Sequence, residues 1–300
     1  MSDSPSRKIR ITEVGPRDGL QNEAKILSAT DKIKLVDLLS ACGVGEIEVS
    51  SFVSPRWIPQ LDDADEVFAG ITRNKNVIYS ALVPNEQGME RALAAKAEKI
   101  SVFTAASETF SQKNTNASIQ ETLSRFKPVI KLAKQSNLPV RAYISCVVAC
   151  PYEGPIAPST VRALASKLLD LGADEIDLGE TIGVAVPTDI QALYEGLADL
   201  LEPYETTLHL HDTRGTALAC ALAALQLGVA NFDTSCGGIG GCPYAPNSAG
   251  NLATEDLVYM CSNMGYQINI DMNALFAASR HVAAALDRSL PGRVFNANGA

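Results

Sequence analysis

Histidine is almost missing from this sequence, with three residues in 300. Two of the three, His209 and His211, stand one residue apart in LHLHDT (208–213), with Asp212 next. Basic charge is also short. Twenty-five lysines and arginines face 34 aspartates and glutamates, a formal net charge of −9. That balance excludes a general nucleic-acid or anionic-membrane surface, so neither partner is expected. An anionic substrate must instead be met by local arginines, lysines or a cation.

Long apolar runs are lacking too. The most apolar stretch, roughly 217–230, falls short of the ~20 residues of a membrane span and is broken by Gln226 and Gly228. The N-terminal MSDSPSRKIR has no apolar segment of the secretory kind, and the C-terminal NANGA is not a peroxisomal tripeptide. Seven cysteines form no CxxC pair. They read as reduced thiols of a cytoplasmic protein.

What is present is a repeat. Every 30 to 35 residues or so comes a β-rich run, then a loop rich in Gly, Pro, Ser or Asn, then an amphipathic helix. The strand candidates are 9–14, 46–52, 76–83, 99–106, 139–147, 175–180, 206–212 and 231–236. Helices are expected after Thr30, a candidate N-cap, up to Gly43, and near 86–97, 117–136, 159–171, 188–201, 215–227 and 254–264. Eight strand–helix repeats in this length predict a closed (β/α)₈ TIM barrel: one catalytic domain over 1–300, with extra C-terminal helices after about 267. No linker or low-complexity stretch interrupts it.

Chemistry in such barrels collects at the C-terminal strand ends. In a strand, residues i and i+2 share a face, so His209 and His211 project to one side there. That arrangement suits a divalent cation, although any one histidine is more often satisfied inside a core. Strand 1 ends in EVGPRDGLQNE (13–23). Its Arg17 and Asp18 read either as a surface ion pair or as a pair at the barrel mouth. There Asp18 would donate a carboxylate to the metal and Arg17 would hold a carboxylate or an enolate by a two-pronged hydrogen bond. Glu48, inside strand 2, needs a partner, either Arg17 or a metal-bound water, unless it belongs to a structural ion pair. After strand 8, Gly237, Gly238, Gly240 and Gly241 make a bendable loop ending in Cys242, an inert small residue or a proton donor to substrate. Asn251 reads as the N-cap of the next helix or as a neutral oxygen ligand. Asp18, His209, His211 and Asn251 offer two oxygens and two nitrogens, which suits Mg²⁺ or Mn²⁺ better than a thiolate-rich zinc site.

The motifs VGPRDGLQNE, EVSSFVSPRW, SETFSQKN, SCVVACPYEGP, LGETIG, HLHDT and GGIGGCPYAPNSAGNLATEDLVYM together resemble the 3-hydroxy-3-methylglutaryl-CoA lyase family, in order and across nearly the whole chain. The resemblance implies a metal-dependent (β/α)₈ lyase, of the kind that serves leucine degradation and ketone-body metabolism. Such an enzyme cleaves hydroxymethylglutaryl-CoA to acetyl-CoA and acetoacetate. It also implies that Asp18, His209, His211 and Asn251 bind the cation, that Arg17 contacts the acyl-CoA carbonyl and that Cys242 is the catalytic thiol. In this retro-Claisen reading Glu48 orients Arg17 or relays the hydroxyl proton. Ser51, Arg56, Lys113, Asn114 and Arg214 are candidates for holding the acyl-CoA thioester. The sequence is compatible with a homodimer or larger homo-oligomer and does not choose between them.

The chain departs from the family pattern at Asp177, at Glu180 and at Arg214. Asp177 is expected to place a negative charge where the substrate carboxylate sits, and Arg214 a positive one nearby. The substrate's tail is therefore open to citramalyl-CoA or a longer branched 3-hydroxyglutaryl-CoA. A non-catalytic acyl-CoA-binding barrel is the reading from another class.

Overall fold

A computed structural model describes residues 8–54, 56–241 and 250–298. Eight parallel strands close into a barrel: β1 (Arg10–Glu13), β2 (Glu46–Ser51), β3 (Ile78–Leu82), β4 (Lys99–Ala105), β5 (Val140–Ser145), β6 (Glu175–Glu180), β7 (Thr206–Leu210) and β8 (Asn231–Thr234). Each strand pairs with its neighbour in sequence, and β8 closes on β1 with Arg10 opposite Asn231. All eight candidate strands are there, with ends trimmed by a few residues.

Helices wrap the outside. They are α1 (Ala29–Ala41), α2 (Ala64–Gly70), α3 (Glu86–Ala94), α4 (Glu108–Thr115), α5 (Ile119–Gln135), α6 (Pro158–Asp170), α7 (Pro187–Leu197), α8 (Ala217–Leu227) and α9 (Thr254–Asn263). Along α1, Leu35, Val36 and Leu39 are fully buried. Each burial of that kind contributes about 1.5–3 kcal/mol, which holds the helix to the sheet. The cap of α1 is Ser28 rather than Thr30: its hydroxyl accepts the Asp31 N–H at 3.1 Å. Ser28 wins because it precedes the first helical residue and Thr30 lies inside. Gly43 does end the run, at φ +90°. The sequence periodicity missed α2 and α4, which at 7 and 8 residues are too short to establish it.

The interior of the barrel is polar where bulky aliphatic residues are usual. Arg141, fully buried on β5, donates to Thr12 at 2.9 Å, Glu46 at 3.2 Å and Asp233 at 3.1 Å. Lys99 donates to Glu46 at 3.0 Å and to Glu175. Charges out of water survive only when paired in this way, so removing one member would leave the others uncompensated, at about 3–5 kcal/mol.

Beyond the barrel, α10 (Met272–Leu286) packs on α1, and α11 (Arg293–Asn298) packs on α9. The segment between them, 287–292, reaches the catalytic end. Arg288 Nε donates to Glu23 at 3.0 Å in the loop after β1. Gly292 N–H donates to Gly237 O at 2.9 Å in the loop after β8. Arg293 pairs with Asp212, next to His211, at 2.7 Å. The extra helices thus both pack outside and brace one end.

Candidate metal centre and active site

Directly after β1 the chain makes one tight helical turn, Gly15–Gly19, that carries Arg17 and Asp18 to the open end of the barrel. The turn packs hard against the loop after β8: a Cβ on Gly19 would lie 2.7 Å from Ile239 Cγ1. His209 belongs to β7, and His211 follows the strand's last residue. Their rings stay on one side, with centroids 5.0 Å apart.

One ligand atom each from Asp18, His209 and His211 lies within 4.8 Å of the others. Nε2 of His209 is 3.9 Å from Asp18 Oδ2. The other nitrogen of each ring is already engaged: Nδ1 of His211 is 2.8 Å from the Glu180 carbonyl, and Nδ1 of His209 is 3.2 Å from Asp233 Oδ2. Both rings are therefore held with Nε2 available. Asn251 joins the group through an isolated bridge to His211. Its Nδ2 donates to Asp18 Oδ2 at 3.0 Å and to Ile239 O at 3.3 Å. Its Oδ1 is buried without a partner among the described residues. A buried carbonyl oxygen left bare beside a carboxylate and two imidazoles fits a divalent cation, whose bonding replaces the missing hydrogen bond. Asn251 is no helix cap, since α9 begins at Thr254 after Ala253.

Electrostatics agree for Asp18 and His211, and without a cation they favour the charged form of His209. Burial would lift the Asp18 carboxyl, but Arg17, His209 and His211 hold it well below the usual range. Burial and repulsion from His209 push His211 down to about 4, so it is neutral, as a ligand must be. Burial also works against a charged His209, yet the hydrogen bond to Asp233 and the charge of Asp18 outweigh it and raise its pKa.

Arg17 lies beside this group, 5% exposed. Its Nε donates to Glu48, its Nη1 to Asp18 at 2.7 Å, and its guanidinium sits 5.3 Å from the centre of the Tyr143 ring. Of the partners considered for Glu48, the structure supplies Arg17. Glu48 also accepts from Ser101 at 2.8 Å and from Tyr143 at 3.3 Å.

The family model described as HMGL-like matches residues 8–282. The chain belongs to the HMGL-like family. It is 45% identical over 295 residues to the mitochondrial hydroxymethylglutaryl-CoA lyase of Macaca fascicularis, covering 98% of this chain and 91% of that protein. It is 46% identical to a Pseudomonas aeruginosa protein named 3-hydroxy-3-isohexenylglutaryl-CoA/hydroxy-methylglutaryl-CoA lyase, over 97% of each. The HMG-CoA lyase structure from Bacillus subtilis superposes with a TM-score of 0.97 at 44% identity, covering 99% of this chain and 100% of that one.

Within this HMGL-like barrel the remaining candidates scatter. Ser51 is buried and donates to Leu82 O at 3.3 Å. Arg56 is exposed on the loop after β2, whereas Lys113 and Asn114 are exposed on α4 rather than on a loop, with Lys113 Nζ 4.7 Å from the Tyr152 ring centre. Cys242 lies outside the described residues. Of the three departures, Glu180 at the end of β6 is buried and accepts from Val184 N–H at 3.1 Å, while Arg214, after β7, donates to the Ile182 and Gly183 carbonyls at 3.0 and 3.1 Å. Both shape the loop after β6.

Asp177 lies beneath the barrel mouth, where the sequence expectation had put it at the mouth beside Arg214. Register pairs His209 with Gly179, so Asp177 sits two residues deeper, fully buried, 3.7 Å from Arg141 Nη1. Burial first, then repulsion from Asp233, keeps its pKa well above the ordinary value. It adds no charge to the mouth and does not pair with Arg214. Sequence reasoning also missed Asp233, Tyr143 and Arg141. The alternation in NFDTSC gave a signal for Asp233, whose side chain points to the interior like its neighbour His209.

Proposed function

We propose that this chain is a divalent-metal-dependent carbon–carbon lyase that cleaves 3-hydroxy-3-methylglutaryl-CoA to acetyl-CoA and acetoacetate. The observation that carries the reading is the convergence of Asp18, His209, His211 and the bare Asn251 Oδ1 beside Arg17. Two oxygens and two nitrogens with no thiolate favour Mg²⁺ or Mn²⁺. When bound, the cation supplies a Lewis acid for the substrate's tertiary hydroxyl and a carboxylate oxygen.

The protein's own groups handle the charge that follows. As a base takes the tertiary hydroxyl's proton and the Cα–Cβ bond breaks, that oxygen becomes the ketone of acetoacetate, the bonding pair moves onto the thioester oxygen as an enolate, and Arg17 stabilises it. Glu48 fixes the Arg17 fork. Its oxygens already accept from Arg17, Ser101 and Tyr143, which supports orientation over proton relay. Arg17 stays charged: burial opposes the charge, and Glu48 and Asp18 outweigh it. Cys242, at the end of the glycine loop, returns a proton to the acetyl-CoA carbanion. Arg56, Lys113, Asn114, Ser51 and Arg214 are the candidates for holding the acyl-CoA.

We read the chain as one catalytic domain acting in a reducing cytoplasm. The six described cysteines are buried and form no disulfide, and no helix among the described residues is long and apolar enough to cross a membrane. A second reading, a lyase for a longer branched 3-hydroxyglutaryl-CoA, is favoured by the name of the Pseudomonas relative. The test is acetyl-CoA release from a panel of 3-hydroxyacyl-CoA thioesters with Mg²⁺ or Mn²⁺. Release from hydroxymethylglutaryl-CoA first among them is expected. Preference for the longer thioester would install the second reading, and binding without release would make the chain an acyl-CoA sensor.

A further inference from the structure

The two candidate ligand rings lean on different supports. Nδ1 of His211 meets a neutral backbone carbonyl, that of Glu180, whereas Nδ1 of His209 meets a carboxylate, Asp233. Asp233 stands directly opposite His209 on the adjacent strand, so both ends of the contact are fixed by the sheet. It is 1% exposed and held from two further sides. Arg141 Nη1 donates to its Oδ1 at 3.1 Å, and the Tyr143 hydroxyl donates to its Oδ2 at 3.1 Å. The Tyr143 ring also stands edge-on to His209, at 90° and 6.4 Å between centroids. The imidazole therefore has little freedom to turn.

We propose that Asp233 is a positioning residue for the metal centre. By accepting the Nδ1 proton of His209, it sets the tautomer and aims Nε2 at the cation beside Asp18. Arg141 and Tyr143 hold Asp233 for that task, which ties the polar interior of the barrel to the site at its mouth. A carboxylate behind a ligand imidazole both orients the ring and raises its donor strength, and losing one typically weakens metal binding about 10–100-fold.

Asp177 shares the neighbourhood: its carboxyl, that of Asp233 and a ring nitrogen of His209 lie within 4.8 Å of one another. A separate cation among these three is disfavoured, because Arg141 Nη1 already sits 3.1 Å from Asp233 and 3.7 Å from Asp177.

The inference rests on His209 being a metal ligand, and the experiment separates the two. Chelator-treated protein is titrated with Mn²⁺ alone, and free Mn²⁺ is read by electron paramagnetic resonance. Asp233→Asn keeps an acceptor of the same size without the charge and should bind about 10–100-fold more weakly than the parent. Glu46→Gln disturbs the same Arg141 network without touching a histidine and should bind as the parent does. Parent-like affinity in Asp233→Asn would overturn the proposal. Equal weakening in Glu46→Gln would also overturn it, by making Asp233 merely one brace of the network. A second Mn²⁺ per chain that Asp177→Ser abolishes would overturn it in favour of a separate site. Should Asp233→Asn fail to fold, long-range ¹H–¹⁵N spectra of the metal-free parent decide. A proton on His209 Nδ1 is expected, and a ring protonated at Nε2 with a bare Nδ1 refutes the assignment. No Mn²⁺ binding by the parent sinks the metal reading itself.

Discussion

Asn251 and Asp18 are joined edge to edge: Nδ2 of the amide donates to the carboxylate at 3.0 Å, while the amide's other face, Oδ1, is buried and bare. Asn251→Ala should therefore lose metal affinity out of proportion to stability. Two hydrogen bonds from Nδ2 disappear, at about 0.5–1.5 kcal/mol each, but no bond from Oδ1 does. Mn²⁺ titration and thermal unfolding of the metal-free protein are the paired measurements. Parent-like metal affinity would remove Asn251 from the ligand set.

Asp18→Ala and His211→Ala should lose metal and activity together. Asp18→Ala also frees Arg17 Nη1, so its Michaelis constant should move as well. Full activity of either variant at limiting metal would refute the ligand assignment.

Arg17→Gln should lower kcat by about 10²–10³ with little change in KM, because its charge is needed where the enolate oxygen develops. The variant leaves Glu48 buried without its cation, so its unfolding should be checked first. Unchanged kcat with raised KM would make Arg17 a binding group.

Stability should fall with rising pH in a way that Glu13 controls. Burial pushes this carboxyl up to about 8, against hydrogen bonds from Thr254, Cys236 and Gly15. The unfolded chain releases the proton at the ordinary carboxylate value of 4.5. The contribution is thus whole below that value and drains away as pH climbs toward 8. Glu255, lifted to about 7 by burial, adds with the same sign. Glu13→Gln mimics the protonated form, so its melting temperature should vary less between pH 5 and 8 than the parent's. Equal slopes would place the pH dependence elsewhere.

Cys242 should be alkylated in free protein and protected by substrate, and Cys242→Ser should fold yet lose most of its rate. Cys42, Cys146, Cys220 and Cys261 should stay slow. They are buried, and burial lifts Cys42 and Cys220 to about 12 and Cys261 to about 11. Labelling of Cys242 that ignores substrate would reduce it to a small residue in a loop.

The barrel was legible because its signals are local. Strand–helix alternation, the glycine after α1 and the H-x-H spacing each occupy a few neighbouring residues, and together they give the eight strands and the candidate ligand pair. Short elements such as α2 were not legible, since a helix of 7 residues scarcely repeats its own period.

By itself, the sequence determined the parallel barrel, the end that gathers the candidate site and the types of its candidate ligands, because backbone periodicity and side-chain chemistry travel with the chain. The tertiary structure alone decided who stands next to whom. It placed Glu48 against Arg17, Asp233 behind His209, and Asp177 two residues beneath the site. Those choices depend on the register between strands far apart in sequence. A shift of one residue there would turn each interior side chain outward, and no local pattern encodes it.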